Sequence, residues 1–286
     1  MDAIAARLPE PKAKPEEAEA DDERPIGIAV IGRPNVGKSS LVNKILGYER
    51  TIVNPLPGTT RDAIDTPFRA NGRDYLLIDT AGIRRKSRIS LTLEKYSVVH
   101  AIKAMERCDI ALVLIDAEEG ITEQDVKIAG LTLEKRTAAI IVVNKWDTIE
   151  KDDRTVGTYV RDIQDQLKFM DFAPIIFISA LSGQRVSKIF GLVNTVYAQY
   201  TKRIGTPELN KTMREIVAAN PPARYQNREV SFSYMTQVSV KPPTFVFFTR
   251  QPKGIHFSYE RFLINQLRES FGFDQVPIRI IFRKKT

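Results

Sequence analysis

Cysteine, histidine and tryptophan are scarce in this chain, which has one cysteine, two histidines and one tryptophan among 286 residues. A lone thiol, Cys108, cannot close a disulfide within the chain, so the fold is not a cystine-stapled scaffold. It stands beside apolar neighbours and reads as a core residue. His100 and His256 lie far apart without ligand-like spacing, which gives no ground for a zinc site. Long apolar runs are missing too. The longest, such as Ala139 to Val143, are five to six residues, far short of the roughly 20 that a membrane-spanning helix needs. The first residues lack the apolar stretch of a secretory signal. Together these absences lead us to expect a cytoplasmic protein with no membrane partner.

What is present is an ordinary globular composition, 43% hydrophobic and 27% charged. The length suits two domains of roughly 100 to 200 residues each. The net charge of +8 is unevenly spread. Residues 1–24 hold eight acids and four bases, with prolines at 9, 11 and 15 and few large apolar groups. Ordering them would recover little burial for its entropy cost, so they read as a disordered acidic linker. Residues 204–286 instead carry thirteen bases against six acids. That balance suits a polyanion such as RNA, or else a solvated basic surface.

From Ile26 the chain alternates short apolar runs with segments of helical spacing. Strand-like runs occur at Ile26 to Ile31, Tyr75 to Ile78, Ile110 to Ile115, Ala139 to Val143 and Ile175 to Ile178. Helical patterns fall between them, as at Lys38 to Leu46, Leu93 to Glu106 and Gln124 to Leu133. Buried strands alternating with helices predict an α/β domain over 25–203, a mostly parallel sheet with helices on both faces. After Arg203 the order becomes helix (Pro207 to Ala219), strand (Val230 to Val240), strand (Thr244 to Thr249), helix and last strand (Pro277 to Phe282). This predicts a small α+β domain over 204–286.

Gly32-Arg33-Pro34-Asn35-Val36-Gly37-Lys38-Ser39 matches GxxxxGK[ST], after a strand and at the start of a helix. In that context the loop's N–H groups and the positive helix end cradle phosphates. Gly32, Asn35, Val36, Gly37, Lys38, Ser39 and Ser40 are the phosphate-side candidates, with Lys38 reaching the β and γ phosphates and Ser39 ligating Mg²⁺. The base is named by Asn144-Lys145-Trp146-Asp147, directly after another strand. Asp147 can accept from two donors on the guanine edge, whereas adenine would leave buried polar groups unpaired. Ser179 and Ala180 close the next strand, where their backbone can support the base. Between these motifs, Asp79-Thr80-Ala81-Gly82 offers Asp79 to Mg²⁺ through water and the Gly82 N–H to the γ-phosphate. Thr60, in the turn-rich Pro57-Gly58-Thr59-Thr60-Arg61-Asp62, is assigned as the switch threonine of the metal shell.

With these motifs the chain resembles translation-factor-type GTPases, and more closely the Der (EngA) ribosome-assembly GTPases. The resemblance covers roughly residues 25 to 286, extending through Ile83-Arg84-Arg85-Lys86 and Lys241-Pro242-Pro243-Thr244-Phe245. It implies a P-loop GTPase domain followed by a KH-like domain, GTP and GDP as ligands, and the large ribosomal subunit or its rRNA as partner. That family has two tandem GTPase domains, and this chain has one P-loop. It therefore looks like the second of them plus the KH-like domain, with a first GTPase domain missing and residues 1–24 resembling the inter-domain linker. Where Ras-like enzymes carry a water-orienting glutamine, this chain has Ile83, which can do no such work. In the family a K⁺ ion beside the phosphates takes over charge neutralisation. The matching ligands here are the Asn35 side chain and backbone oxygens from Asn54 to Thr59, namely those of Asn54, Leu56 and Thr59. The catalytic set is then Lys38, Thr60, Gly82 and Asn35.

The basic stretch Ile83 to Arg88 reads as a GTP-dependent switch or as a solvated loop. The C-terminal domain has no Gly-Xaa-Xaa-Gly, the loop by which RNA-binding KH domains clamp a backbone. Its Arg279, Arg283, Lys284 and Lys285 are left to meet rRNA phosphates or the GTPase domain itself. Two other classes stay open: a P-loop phosphotransferase, disfavoured by the two downstream motifs, and a binding module that uses guanine nucleotide as a structural or regulatory ligand.

Overall fold

The computed structural model describes residues 24–48, 65–80, 99 and 101–284. Three apolar runs form its centre: β1 (Ile26–Ile31), β4 (Ile110–Asp116) and β5 (Ala138–Asn144), every residue of which is buried. Strands buried on both faces need cover on both, which a parallel sheet obtains from its crossover helices. With β2 (Thr66–Ala70), β3 (Arg73–Ile78) and β6 (Ile175–Phe177) they make a six-stranded sheet in the order β2-β3-β1-β4-β5-β6. All neighbours are parallel except the β2–β3 hairpin. That hairpin was not read from the sequence. Its turn is Asn71-Gly72, with φ of 51° and 79°, the left-handed pair that two-residue hairpins favour.

Alternation along the strands sends successive side chains to opposite faces. Ile28, Val30, Leu112, Leu114, Ile140 and Val142 join the cluster that includes α1 (Lys38–Tyr48) and α4 (Lys188–Tyr200). Ala29, Ile31, Val113, Ile115, Ile141 and Val143 join the other, with α2 (Glu123–Lys135), α3 (Thr155–Gln166) and a helical segment at 101–105. Cys108 meets the sequence expectation in part, packing against the core without being fully buried. It is half-buried at the rim of this second cluster, its thiol 3.7 Å from the Met105 carbonyl.

The smaller body is α5 (Thr206–Ala219), β7 (Phe232–Val240), β8 (Pro243–Thr249), α6 (Phe257–Phe271) and β9 (Arg279–Lys284). Its sheet order is β7-β8-β9, with β8 and β9 parallel. The last strand starts two residues later than its apolar run, because pairing begins at Thr244↔Arg279 and Pro277 has no N–H to give a ladder. Leu209, Met213, Phe245, Phe247, Leu263 and Leu267 continue the α1/α4 cluster of the larger body, so one apolar core runs through both.

Polar contacts fix the joint. Buried Gln237 accepts from Ile204 N–H at 2.8 Å and donates to the Lys202 carbonyl at 2.9 Å. Lys241 Nζ donates to Tyr197 Oη at 2.9 Å and lies 3.5 Å from Asp109. Arg268 lies over Phe172 at 4.4 Å, and burial pulls its guanidinium below the usual range. No helix of the described residues is long and apolar enough to cross a membrane.

Candidate nucleotide site

Parallel pairing brings the carboxyl ends of β1, β3, β4, β5 and β6 to one edge, where open α/β sheets bind ligands. The glycine-rich loop leaves β1 there and ends at α1. Two of its glycines are required by sterics. Gly32 has φ +150°, and a Cβ on it would lie 2.7 Å from the Leu114 carbonyl oxygen. Gly37 has φ +95°, and its Cβ would fall 2.1 Å from Asn144 Nδ2. Asn35 takes a left-handed φ of 65° and is exposed at the loop's tip. Lys38 folds its ammonium back on the loop, donating to the Gly32 carbonyl at 2.8 Å and to that of Arg33. Val36 is buried under the loop, while Ser39 and Ser40 open the helix, half-buried and exposed respectively.

Asn144 holds the edge together. It is buried; its Nδ2 donates to the Val36 carbonyl at 2.8 Å and its Oδ1 accepts from Ala180 N–H at 2.9 Å. One side chain thus ties the phosphate loop to the Ser179–Ala180 loop, 36 residues on. Ser179 is fully buried, and its Oγ accepts from Ser182 N–H at 3.0 Å. Next to Asn144, Lys145 adopts φ 61° and pairs with Asp116 at 2.6 Å and Glu118 at 3.6 Å. The Asp116 hydrogen bond is the largest cause that holds this ammonium above its ordinary value, outweighing desolvation. Asp147 projects into solvent. Between them Trp146 is buried against Phe177 and Tyr159, with ring centroids at 4.4 Å and 5.0 Å. The Trp146 backbone N–H donates to the Ile178 carbonyl at 3.0 Å. The middle residue of the motif is therefore the anchor that lets its neighbours face outward.

At the end of β3, Asp79 has φ 58°, and its N–H donates to Asp65 Oδ1 at 3.1 Å. Thr80 is buried, its hydroxyl 2.9 Å from that of Thr66. Asn54, Leu56, Thr59, Thr60 and Gly82 lie outside the described residues, as do the switch stretch 83–88, His100 and most of the acidic segment 1–24.

Three site residues escaped sequence reasoning. Arg33 reaches from the phosphate loop to Asp125 at 3.2 Å and to Glu119 at 2.6 Å. Asp125 is itself fixed by a capping box with Thr122 at the start of α2, so the loop is braced by an adjoining helix. Asp116, which sets Lys145, closes β4 opposite Asn144 in register. None of these has a local sequence signature, apart from the Thr-Xaa-Xaa-Asp of the cap.

Residues 27–145 match the family model described as 50S ribosome-binding GTPase. Residues 203–283 match the one described as KH-domain-like of EngA bacterial GTPase enzymes, C-terminal. GTPase Der of Moorella thermoacetica is 56% identical over 257 residues, covering 90% of this chain and 59% of the relative. GTPase Der of Geobacter metallireducens is 52% identical over 283 residues, covering 99% and 63%. GTPase Der of Caldanaerobacter subterraneus subsp. tengcongensis is 54% identical over 285 residues, covering 100% and 64%. The chain spans about six-tenths of the length of these curated relatives. An α/β P-loop body with a nucleotide-type edge, joined to a small α-β-β-α-β body of KH-like kind, together with this identity along the chain, puts the protein in the GTPase Der family.

Proposed function

We propose that the chain binds and hydrolyses GTP and acts as a switch in assembly of the large ribosomal subunit, in the cytoplasm. The observation that carries this reading is the buried Asn144 strut, which fixes a phosphate-type loop and a base-type loop at one edge, with Asp147 free to solvent. The relatives' name and the 50S-binding description of the matched family support the activity and the partner. The match from residue 203 supports a division into a GTPase domain, 25–203, and a KH-like domain, 204–286. The greater length of the relatives supports a first GTPase domain ahead of the acidic segment 1–24.

In this reading Gly32 to Ser40 bind the phosphates, Lys38 turns from its loop carbonyls to the β and γ oxygens, and Asn144, Lys145, Asp147, Ser179 and Ala180 hold guanine. The Ser39 hydroxyl and Asp79 carboxylate are the hard oxygen donors that suit Mg²⁺, with Thr60 completing the set. Bound there, Mg²⁺ supplies positive charge to the phosphate oxygens. Gly82 N–H meets the γ-phosphate. Ile83 cannot orient water; Asn35 and the backbone oxygens of Asn54, Leu56 and Thr59 would hold a K⁺, which would supply positive charge between the β and γ phosphates.

Phosphate release measured with GTP and XTP, in K⁺ and in Na⁺ at equal ionic strength, tests the reading. Asp147→Asn should shift preference from GTP toward XTP, and the rate should be higher in K⁺, by an amount that Asn35→Ala removes. An unchanged GTP-over-XTP margin would sink the base assignment. Equal rates in both salts would sink the K⁺ site and leave the GTPase standing.

A further inference from the structure

Among the described residues, the helices that pack on the three-stranded sheet, α5 and α6, lie on one face of it. Met235, Phe245 and Phe247 point into the core with α5 and α6. Side chains one residue away point to the other face. There the register places Tyr234, Phe248 and Arg283 in one row across β7, β8 and β9. Behind it stands a row of Thr236, Val246 and Ile281. None of the six belongs to either buried cluster, and of them only Val246, in the middle strand, is fully buried. The Tyr234 and Phe248 rings stack with centroids 4.3 Å apart and planes 9° apart, and Tyr234 is 40% exposed. Two parallel rings standing on an open sheet, with a guanidinium next in line, form a platform that one more flat ring can extend.

Charge decides what kind of ring. The three strands carry Arg279, Arg283 and Lys284 and no acid. The six acids of residues 204–286 lie elsewhere: Glu208 and Glu215 on α5, Glu260 and Glu269 on α6, Asp274 beyond α6, and Glu229 ahead of β7, where it faces Arg224 at 3.4 Å. Among the described residues, Arg279, Arg283 and Lys284 form no ion pair, so their charge is available to a polyanion. An aromatic platform edged with unpaired cations suits a base on a phosphate backbone, and a base in a duplex is already stacked on both sides.

We propose that this open sheet face binds single-stranded RNA, with an unpaired base stacking on Tyr234 and a neighbouring phosphate meeting Arg283. The surface lies on the strands themselves, and so does not need the Gly-Xaa-Xaa-Gly loop that this chain lacks. The inference rests on the ribosomal-RNA reading above for the kind of nucleic acid, and names the surface and the strandedness.

The test is fluorescence anisotropy of the full chain with a labelled 12-nucleotide mixed-sequence RNA, single-stranded or annealed, alongside cosedimentation with large ribosomal subunits. Tyr234→Ala should weaken single-strand binding about tenfold, the typical value of one base stack. Tyr234→Phe should keep it, since the ring remains. Arg283→Gln should flatten the log-log salt slope by about 0.7, the value of one phosphate on a single strand. Thermal melts check that Tyr234→Ala leaves the fold intact. Equal affinity for the duplex, an unchanged affinity in Tyr234→Ala, or no RNA binding by the wild-type chain would overturn the proposal, the last pointing to a protein on this face. If cosedimentation persists while the oligonucleotide is ignored, this surface falls and the ribosomal reading stands. If the oligonucleotide binds as described and cosedimentation fails, the ribosomal reading falls and this surface stands.

Discussion

The six-stranded sheet is covered on both faces and gathers its polar groups at its carboxyl edge, whereas the three-stranded sheet is covered on one face and turns aromatic and basic side chains outward from the other. In the first, loops have to be held in shape from below, and the structure supplies braces for them: Asn144 under two loops, Arg33 to α2, Trp146 under the base motif. In the second, the strands are rigid already, so a functional row needs only register. Substitutions at the first sheet's edge should therefore act through braces, and those on the second sheet should act according to face.

Gly37→Ala should have the largest effect. The added methyl collides with an Asn144 amide that cannot step aside, because both its ends are hydrogen-bonded. Strain at such a backbone position costs about 1–3 kcal/mol before the collision is added. We expect guanine-nucleotide affinity to fall by two orders of magnitude or so at the upper end of that range, read by calorimetric titration with GDP. Retained affinity would show that the loop is held by something other than Asn144.

Met235→Ala against Tyr234→Ala sharpens the other half of the comparison, since the two are sequence neighbours on opposite faces. Met235 is fully buried, and losing it should cost about 2–5 kcal/mol in denaturant unfolding. Exposed Tyr234 should cost within about 0.5 kcal/mol beyond its contact with Phe248. Similar losses would mean that the outer face is covered as well.

Cys108 gives an effect confined to high pH. Burial first, and then the neighbouring Asp109 charge, push its thiol up to about 12. The folded chain then holds this proton more tightly than the unfolded chain does. The contribution to stability is fully present below the ordinary thiol value and is lost as pH rises from there toward 12. Wild type should lose stability relative to Cys108→Ala between about pH 9 and 12, as followed by urea midpoints across that range. A parallel pH dependence in the two proteins would place the thiol in water.

Much of this was legible in the sequence, and what was not shares a cause. The phosphate loop, Asp79, Asn144 and Asp147 are read locally, because a strand followed by a tight turn fixes where such residues must stand. Element order in the smaller body followed from periodicity, whereas in the larger body β2, α3 and α4 were not read. Arg33–Asp125 spans 92 positions and Asn144–Val36 spans 108, and no local pattern announces a pair that only the fold brings together. The β2–β3 hairpin had its signal, Asn71-Gly72, in a segment whose short strand Thr66–Ala70 carries one arginine and one proline among five residues. Cys108 was legible as a residue that packs on the core, but not its partial exposure, which comes from its place just past a helix that ends at 105.

Gln237 gives the joint between the bodies its mechanical character. A buried amide that serves both Ile204 and Lys202 removes slack from the connector, and the shared core removes it from the surfaces on either side. The small sheet is thus mounted on α4 as an arm on a shaft, and α4 follows directly from the Ser179–Ala180 loop. A load applied to the arm has a short, stiff path to the edge where the base would sit, and a hinge between the two bodies is the one thing this construction does not provide.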